Sequence, residues 1–139
     1  MAAITHLFHI DAPREKVFLA VSTINGLQQW WTEQTSGSDK IGGVIEFRFG
    51  GRGFVDFRVE ESNANTFYKW KCINAHPEWL ETEATFELSE NEGKTRVKFT
   101  HSGWAEQTDF FAHCNFSWGR YFVSLRNYCE IGQGAPFKL

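Results

Sequence analysis

The chain predicts an α+β domain: a curved antiparallel sheet of six or seven strands wrapped on one long C-terminal helix. Three observations carry that reading. Five segments between residues 45 and 101 alternate apolar and polar side chains with a period of two, as strands with one dry face do. Near the end, Trp118, Tyr121, Phe122, Leu125, Tyr128 and Cys129 recur at i, i+3, i+4, i+7, i+10 and i+11, which puts all six on one helix face. The sheet also needs a cover, and no other stretch offers a long amphipathic helix.

The elements follow in order. Ile4, His6, Phe8 and Ile10 alternate with Thr5, Leu7 and His9, giving a first strand with its even positions inward. Asp11-Ala12-Pro13 stops it, and Pro13 suits the first turn of a helix, where its missing N–H costs nothing. Val17, Phe18 and Val21 give that helix an apolar side. Asn25-Gly26 is expected to interrupt it before Leu27, Trp30 and Trp31 mark a second short helix. A polar stretch from Thr35 to Lys40 reads as a connection.

The meander comes next. Ile45, Phe47 and Phe49 oppose Glu46 and Arg48; Val55, Phe57 and Val59 oppose Asp56, Arg58 and Glu60. Tyr68, Trp70 and Cys72 oppose Lys69 and Lys71; Ala84, Phe86 and Leu88 oppose Glu83, Thr85 and Glu87; Val97, Phe99 and His101 oppose Arg96, Lys98 and Thr100. Gly50-Gly51-Arg52-Gly53, Asn63 to Asn65, His76-Pro77 and Asn91-Glu92-Gly93 supply the turns. Such short links make an antiparallel sheet with one wet face. The last helix is expected from Asp109 to Ile131, with Thr108 or Asp109 as its N-cap and Gly132 and Pro136 ending it.

At 139 residues, with no repeat, linker or low-complexity tract, residues 1–139 read as one domain able to bury a core without staples. The net charge of -3, with both signs interspersed, gives no reason to expect nucleic acid as a partner. No run approaches the ~20 apolar residues of a membrane span, so membrane insertion is not expected. Three cysteines at irregular spacing do not make a disulfide framework, which points to a reduced, cytoplasmic protein. No histidine or cysteine spacing suits a metal, and no cofactor is expected.

Several motifs resemble those of the START-like (SRPBCC) superfamily, whose fold is the helix grip. Residues 10–18, Ile-Asp-Ala-Pro-Arg-Glu-Lys-Val-Phe, look like its N-terminal signature, and Leu27-Gln28-Gln29-Trp30-Trp31 is similar to its second-helix motif. Residues 118–125 and 132–137 resemble the final helix and tail of the branch related to the C-terminal domain of the activator of heat-shock protein 90 ATPase. The resemblance implies the helix-grip fold along essentially the whole chain. It leaves three functions open, since members include lipid carriers, co-chaperone domains and cyclases.

The first of these is binding of a small, mostly hydrophobic ligand in a cavity between sheet and C-terminal helix. Its candidate lining is Phe47, Phe49, Phe57, Trp70, Phe86, Phe99, His101, Trp118, Tyr121 and Phe122. The same rings could instead interdigitate and fill the space. If Phe57 borders an open chamber, Phe57→Ala should cost less than the ~3–5 kcal/mol typical of a close-packed core. His101 could orient a ligand carbonyl or hydroxyl, or could be a hydrogen-bonded histidine at a strand end; Gly119 suggests close helix packing. The second function is a chaperone-contacting module, as a monomer or homodimer. The third is a cyclase- or hydrolase-like enzyme, disfavoured because Glu46, Asp56, Glu60, Glu83 and Glu87 all fall on the wet face. No catalytic residue is assigned. Gly50-Gly51-Arg52-Gly53 lacks the Lys-Ser/Thr of a phosphate loop and reads as a hairpin turn.

Overall fold

A computed structural model describes residues 1–139. Strand β1 (Ala2–Ile10) leads into helices α1 (Arg14–Ser22) and α2 (Ile24–Trp30). Strands β2 (Gln34–Gly37), β3 (Val44–Arg48), β4 (Phe54–Asn63), β5 (Phe67–Asn74), β6 (Glu83–Asn91) and β7 (Lys94–Trp104) follow, and α3 (Asp109–Ile131) closes the order. A short 3-10 turn, Pro77–Trp79, lies between β5 and β6. All seven strands form one antiparallel sheet in the order β1-β7-β6-β5-β4-β3-β2. This is the helix-grip architecture that the residue pattern predicts.

Two local expectations are corrected. The break between the short helices falls at Thr23, not at Asn25-Gly26. Thr23 is extended, and its Oγ1 accepts a hydrogen bond from the Gly26 N–H at 3.0 Å, so it caps α2 and carries the bend itself. Gly26 serves a different need. A Cβ there would lie 2.5 Å from the Leu19 carbonyl oxygen, so only glycine lets α2 cross α1 so closely. The polar stretch at Thr35 to Lys40 also begins with an edge strand, β2, paired to β3 from Gln34↔Arg48 to Gly37↔Ile45. Edge strands need only backbone bonds on one side, so β2 shows almost no apolar alternation.

The wet face is held partly by ion pairs across neighbouring strands. Arg48 Nη1 donates to Asp56 Oδ1 at 2.7 Å, and Lys69 Nζ lies 3.3 Å from Glu83 Oε2. Pairs this exposed are worth little, ~0–1 kcal/mol each, so they set register more than stability. Stability comes from the opposite face, where 29 buried apolar residues form one cluster under α1, α2 and α3.

Helix α3 is capped at both ends. Thr108 Oγ1 accepts from the Phe111 N–H, and Asp109 places negative charge in the first turn. Gly132, at φ 78°, donates its N–H to the Tyr128 carbonyl and stops the helix. Gly119 faces β1, where an added Cβ would sit 3.4 Å from His6 Cε1, an ordinary contact. Close packing therefore does not require glycine there. Gly119→Ala is expected to raise stability by up to ~1 kcal/mol through helix propensity, as a denaturant midpoint would register.

Beyond Gly132 the chain turns back along α2 and is stitched down. Phe137 donates to the Trp31 carbonyl at 2.8 Å, and its own carbonyl accepts from the Glu33 N–H at 3.0 Å. Ser124 Oγ accepts from the Ala135 N–H at 2.6 Å and donates to the Trp30 carbonyl at 2.8 Å. These bonds fix the Phe137 ring against Phe49, with centroids 5.8 Å apart.

Candidate functional site

The sheet–helix interface is largely solid. Phe57 stacks on Trp70 with centroids 4.9 Å apart and planes 15° from parallel. Phe99 lies 4.5 Å from Trp118 and 4.7 Å from Phe122, and Phe86 meets Trp70 edge-on at 5.4 Å. Phe47 packs 4.4 Å from Trp31. Seven of the ten candidate residues (Phe47, Phe57, Trp70, Phe86, Phe99, His101 and Phe122) thus sit inside this mesh, each at 3% exposure or less. The rings interdigitate because strands and helix both present large side chains at the same layer, which leaves the central space occupied.

An opening survives at one side of that interface. It is a groove of about 530 Å³, within the usual range for a small-molecule site. The first half of α3 forms one wall, the β3–β4 hairpin and the start of β4 another, and the turn between β5 and β6 a third. Phe137 of the tail closes one side. Phe49, Trp118 and Tyr121 are the three candidates that reach it. Trp31, Phe54, Val55, Trp79 and Phe110 enlarge the apolar surface, while Arg52, His76, His113, Ser117 and Arg120 supply polar atoms. Eleven of its seventeen lining residues are hydrophobic and none is Asp or Glu, so an apolar occupant fits better than a metal or a cation. Trp79 and Trp118 stack 5.8 Å apart and 15° from parallel at the inner end of the groove, where Trp118 is only 2% exposed.

Half of the lining that periodicity does not flag comes from irregular segments, and most of the rest from other positions of α3. Arg52 belongs to the glycine-rich hairpin, His76 and Trp79 to a turn, and Phe137 to the tail. Strand and helix periods say nothing of such positions. Trp31, the C-cap of α2, is flagged by its spacing from Leu27 and Trp30, although not as groove lining.

His101 is fully buried and its hydrogen bonds are complete. The Trp118 indole N–H donates to His101 Nδ1 at 3.2 Å. Because an indole nitrogen can only donate, Nδ1 is unprotonated and Nε2 carries the hydrogen. That hydrogen is donated to Thr82 Oγ1 at 2.8 Å, and Thr82 in turn donates to the Trp79 carbonyl. Burial holds the imidazole neutral, with its pKa pulled down to about 3. The relay orders Trp118 and the Trp79 turn, both of which wall the groove, and His101 itself does not line it.

This arrangement has a measurable sign. The unfolded chain protonates His101 below pH ~6.5, whereas the folded chain resists down to pH ~3. Stability is complete above the upper value and falls as pH drops through that window. The expected slope is ~1.4 kcal/mol per pH unit from this group. Urea unfolding of wild type and His101→Gln at several pH values checks it: the glutamine amide can keep both hydrogen bonds, and the slope should shrink by about one proton.

The thiols are equally inert. Burial raises Cys72 and Cys114 to about 11 and Cys129 to about 12, and all three are free. Tyr68 is likewise raised by burial, and its hydroxyl donates to the Asp39 carbonyl at 3.0 Å. No helix is long and apolar enough to cross a membrane.

The comparisons agree with this fold. The family model described as Activator of Hsp90 ATPase homolog 1-like protein matches residues 11–130. The Aha1 dimer from Colwellia psychrerythraea is 41% identical, with a TM-score of 0.89 over 96% of this chain and 100% of that one. The protein SSP2350 from Staphylococcus saprophyticus is 21% identical, with a TM-score of 0.80 over 96% of each chain. CalU16 from Micromonospora echinospora is 17% identical, with a TM-score of 0.77 over 91% of this chain and 73% of that one. These last two share the fold. A search of curated proteins finds no match.

Proposed function

Because the chain belongs to the family of Activator of Hsp90 ATPase homolog 1-like proteins, we propose that it binds a small, mostly hydrophobic ligand in the groove beside α3. The observation that carries this reading is the open aromatic space of about 530 Å³ next to an otherwise solid interior. A protein whose core is filled elsewhere leaves such ring surface uncovered only at a cost in lost dispersion contacts. The absence of a carboxylate from the lining, and the neutral, saturated state of His101, argue for holding a molecule rather than transforming it.

Native mass spectrometry of the purified protein, followed by organic extraction, tests the reading. A retained apolar compound is expected, and Ser117→Trp, which puts an indole into the groove from α3, should abolish retention while the chain stays folded. Retention that survives Ser117→Trp would move the site elsewhere. A protein that retains nothing, and whose melting point no apolar compound raises, would refute binding.

A homodimer is favoured by the Colwellia relative, whose structure is that of a dimer. Phe116 on the outer face of α3 is 69% exposed and gives a self-contact an apolar centre. Sedimentation equilibrium should find a dimer that Phe116→Asp dissociates; a monomer at high concentration would exclude it. The family description also favours a chaperone-contacting role, for which the measurement is heat-shock protein 90 ATPase turnover with and without this protein. No change in turnover would dismiss it.

A further inference from the structure

Seventeen Asp and Glu residues outnumber fourteen Lys and Arg in this chain, yet the groove inverts that balance. Two arginines and two histidines line it, and no carboxylate does. The five ion pairs of the structure lie on the sheet's wet face, and neither Arg52 nor Arg120 belongs to any of them. Both guanidiniums are therefore available to a visitor.

They also converge. Arg120, on α3, lies over the Tyr121 ring at 5.6 Å and over Phe116 at 5.9 Å. Arg52 enters from the β3–β4 hairpin opposite. Burial raises the Tyr121 phenol above its usual value, and the charges of Arg120 and Arg52 both oppose that rise. Across the groove, His76 accepts the Glu78 N–H at Nδ1, at 3.1 Å, which leaves its Nε2 hydrogen as a donor. Its ring stacks on Phe110 with centroids 4.0 Å apart. The floor between these polar groups is the stacked pair Trp79 and Trp118.

We infer that the occupant is an amphiphile with a flat apolar body and a carboxylate-type anionic head. The body packs among the aromatic side chains of the groove, and the head is read by Arg52, Arg120 and the Tyr121 hydroxyl. Guanidinium and phenol are donors matched to carboxylate oxygens, and the rings beneath Arg120 reduce competition from water there. The inference rests on the groove being the ligand site and adds the sign and place of the ligand's charge.

Isothermal titration calorimetry with three probes that share one ring system tests it: 2-naphthylacetate, 2-naphthylacetamide and 2-(2-naphthyl)ethylammonium. The carboxylate is expected to bind ~10-fold more tightly than the amide, with the ammonium weakest. Arg52→Gln with Arg120→Gln should erase the difference between carboxylate and amide, and Arg52→Glu with Arg120→Glu should turn preference toward the ammonium. Arg126→Gln, an exposed arginine outside the groove, should leave the order unchanged. Equal binding of all three probes to the wild type, or a carboxylate preference that survives the double glutamine variant, would overturn the anionic head and leave apolar binding standing. Failure of all three to bind would overturn both readings.

Discussion

Trp118→Ala is expected to be the most damaging single truncation in the chain. Its ring lies 5.0 Å from Trp31, 4.5 Å from Phe99, 5.5 Å from Phe122 and 5.8 Å from Trp79, so it joins the α3 face to the sheet layer and to the groove wall. Removing a buried indole costs ~3–5 kcal/mol through lost transfer and cavity terms. Losing its N–H also leaves His101 Nδ1 without a donor, a further ~1–3 kcal/mol for a buried acceptor. Against a typical total of ~5–15 kcal/mol this approaches global unfolding. Trp118→Phe helps separate the two contributions, since it keeps much of the packing and removes the N–H together with part of the ring. Chemical denaturation of both variants measures them, and a loss below ~2 kcal/mol for the alanine variant would show that the interface collapses around the gap.

Phe57→Ala is the second. From sequence, a modest cost follows if Phe57 borders open space. The structure instead places it at no exposure, stacked on Trp70 and within 6.0 Å to 6.4 Å of Phe47, Trp79 and Trp31. The full ~3–5 kcal/mol is now expected, with unfolding midpoint as readout. Phe54, three residues earlier in β4, is 43% exposed, and its ring lies 5.5 Å from the Arg48 guanidinium that pairs with Asp56 on the wet face. Phe54→Ala should therefore cost little stability, the opposite of Phe57→Ala.

That pair of phenylalanines shows what the sequence could and could not convey. Alternation marks Phe57 as inward, correctly, and the meander, the short helices and the bounds of α3 follow from period, caps and turn residues. Periodicity specifies which way a side chain points and not how far the opposing layer stands from it. Whether the rings at Phe57, Phe86 and Phe99 line space or fill it depends on how close α3 approaches the sheet, and no local pattern carries that distance. The groove was legible at Phe49, Trp118 and Tyr121, which the strand and helix periods reach, while Trp31 and Val55 were read as inward without being assigned to it. Arg52, His76, Trp79 and Phe137 come from a hairpin, a turn and a tail, whose positions are set by long-range bonds such as Phe137 N–H to Trp31 O. The edge strand β2 escaped for a related reason: its partner, not its composition, makes it a strand.

The tryptophan pile at the base of the groove has an optical consequence. Trp30, Trp70 and Trp118 all lie 5.0 to 6.1 Å from Trp31, and Trp79 continues the series. At such spacings the transition dipoles of neighbouring indoles mix, so the excited state is shared rather than local. The folded chain should show an exciton couplet in its far-ultraviolet circular dichroism. A molecule that slides against Trp79 or Trp118 would perturb that couplet as a unit, giving a label-free readout of occupancy built into the wall itself.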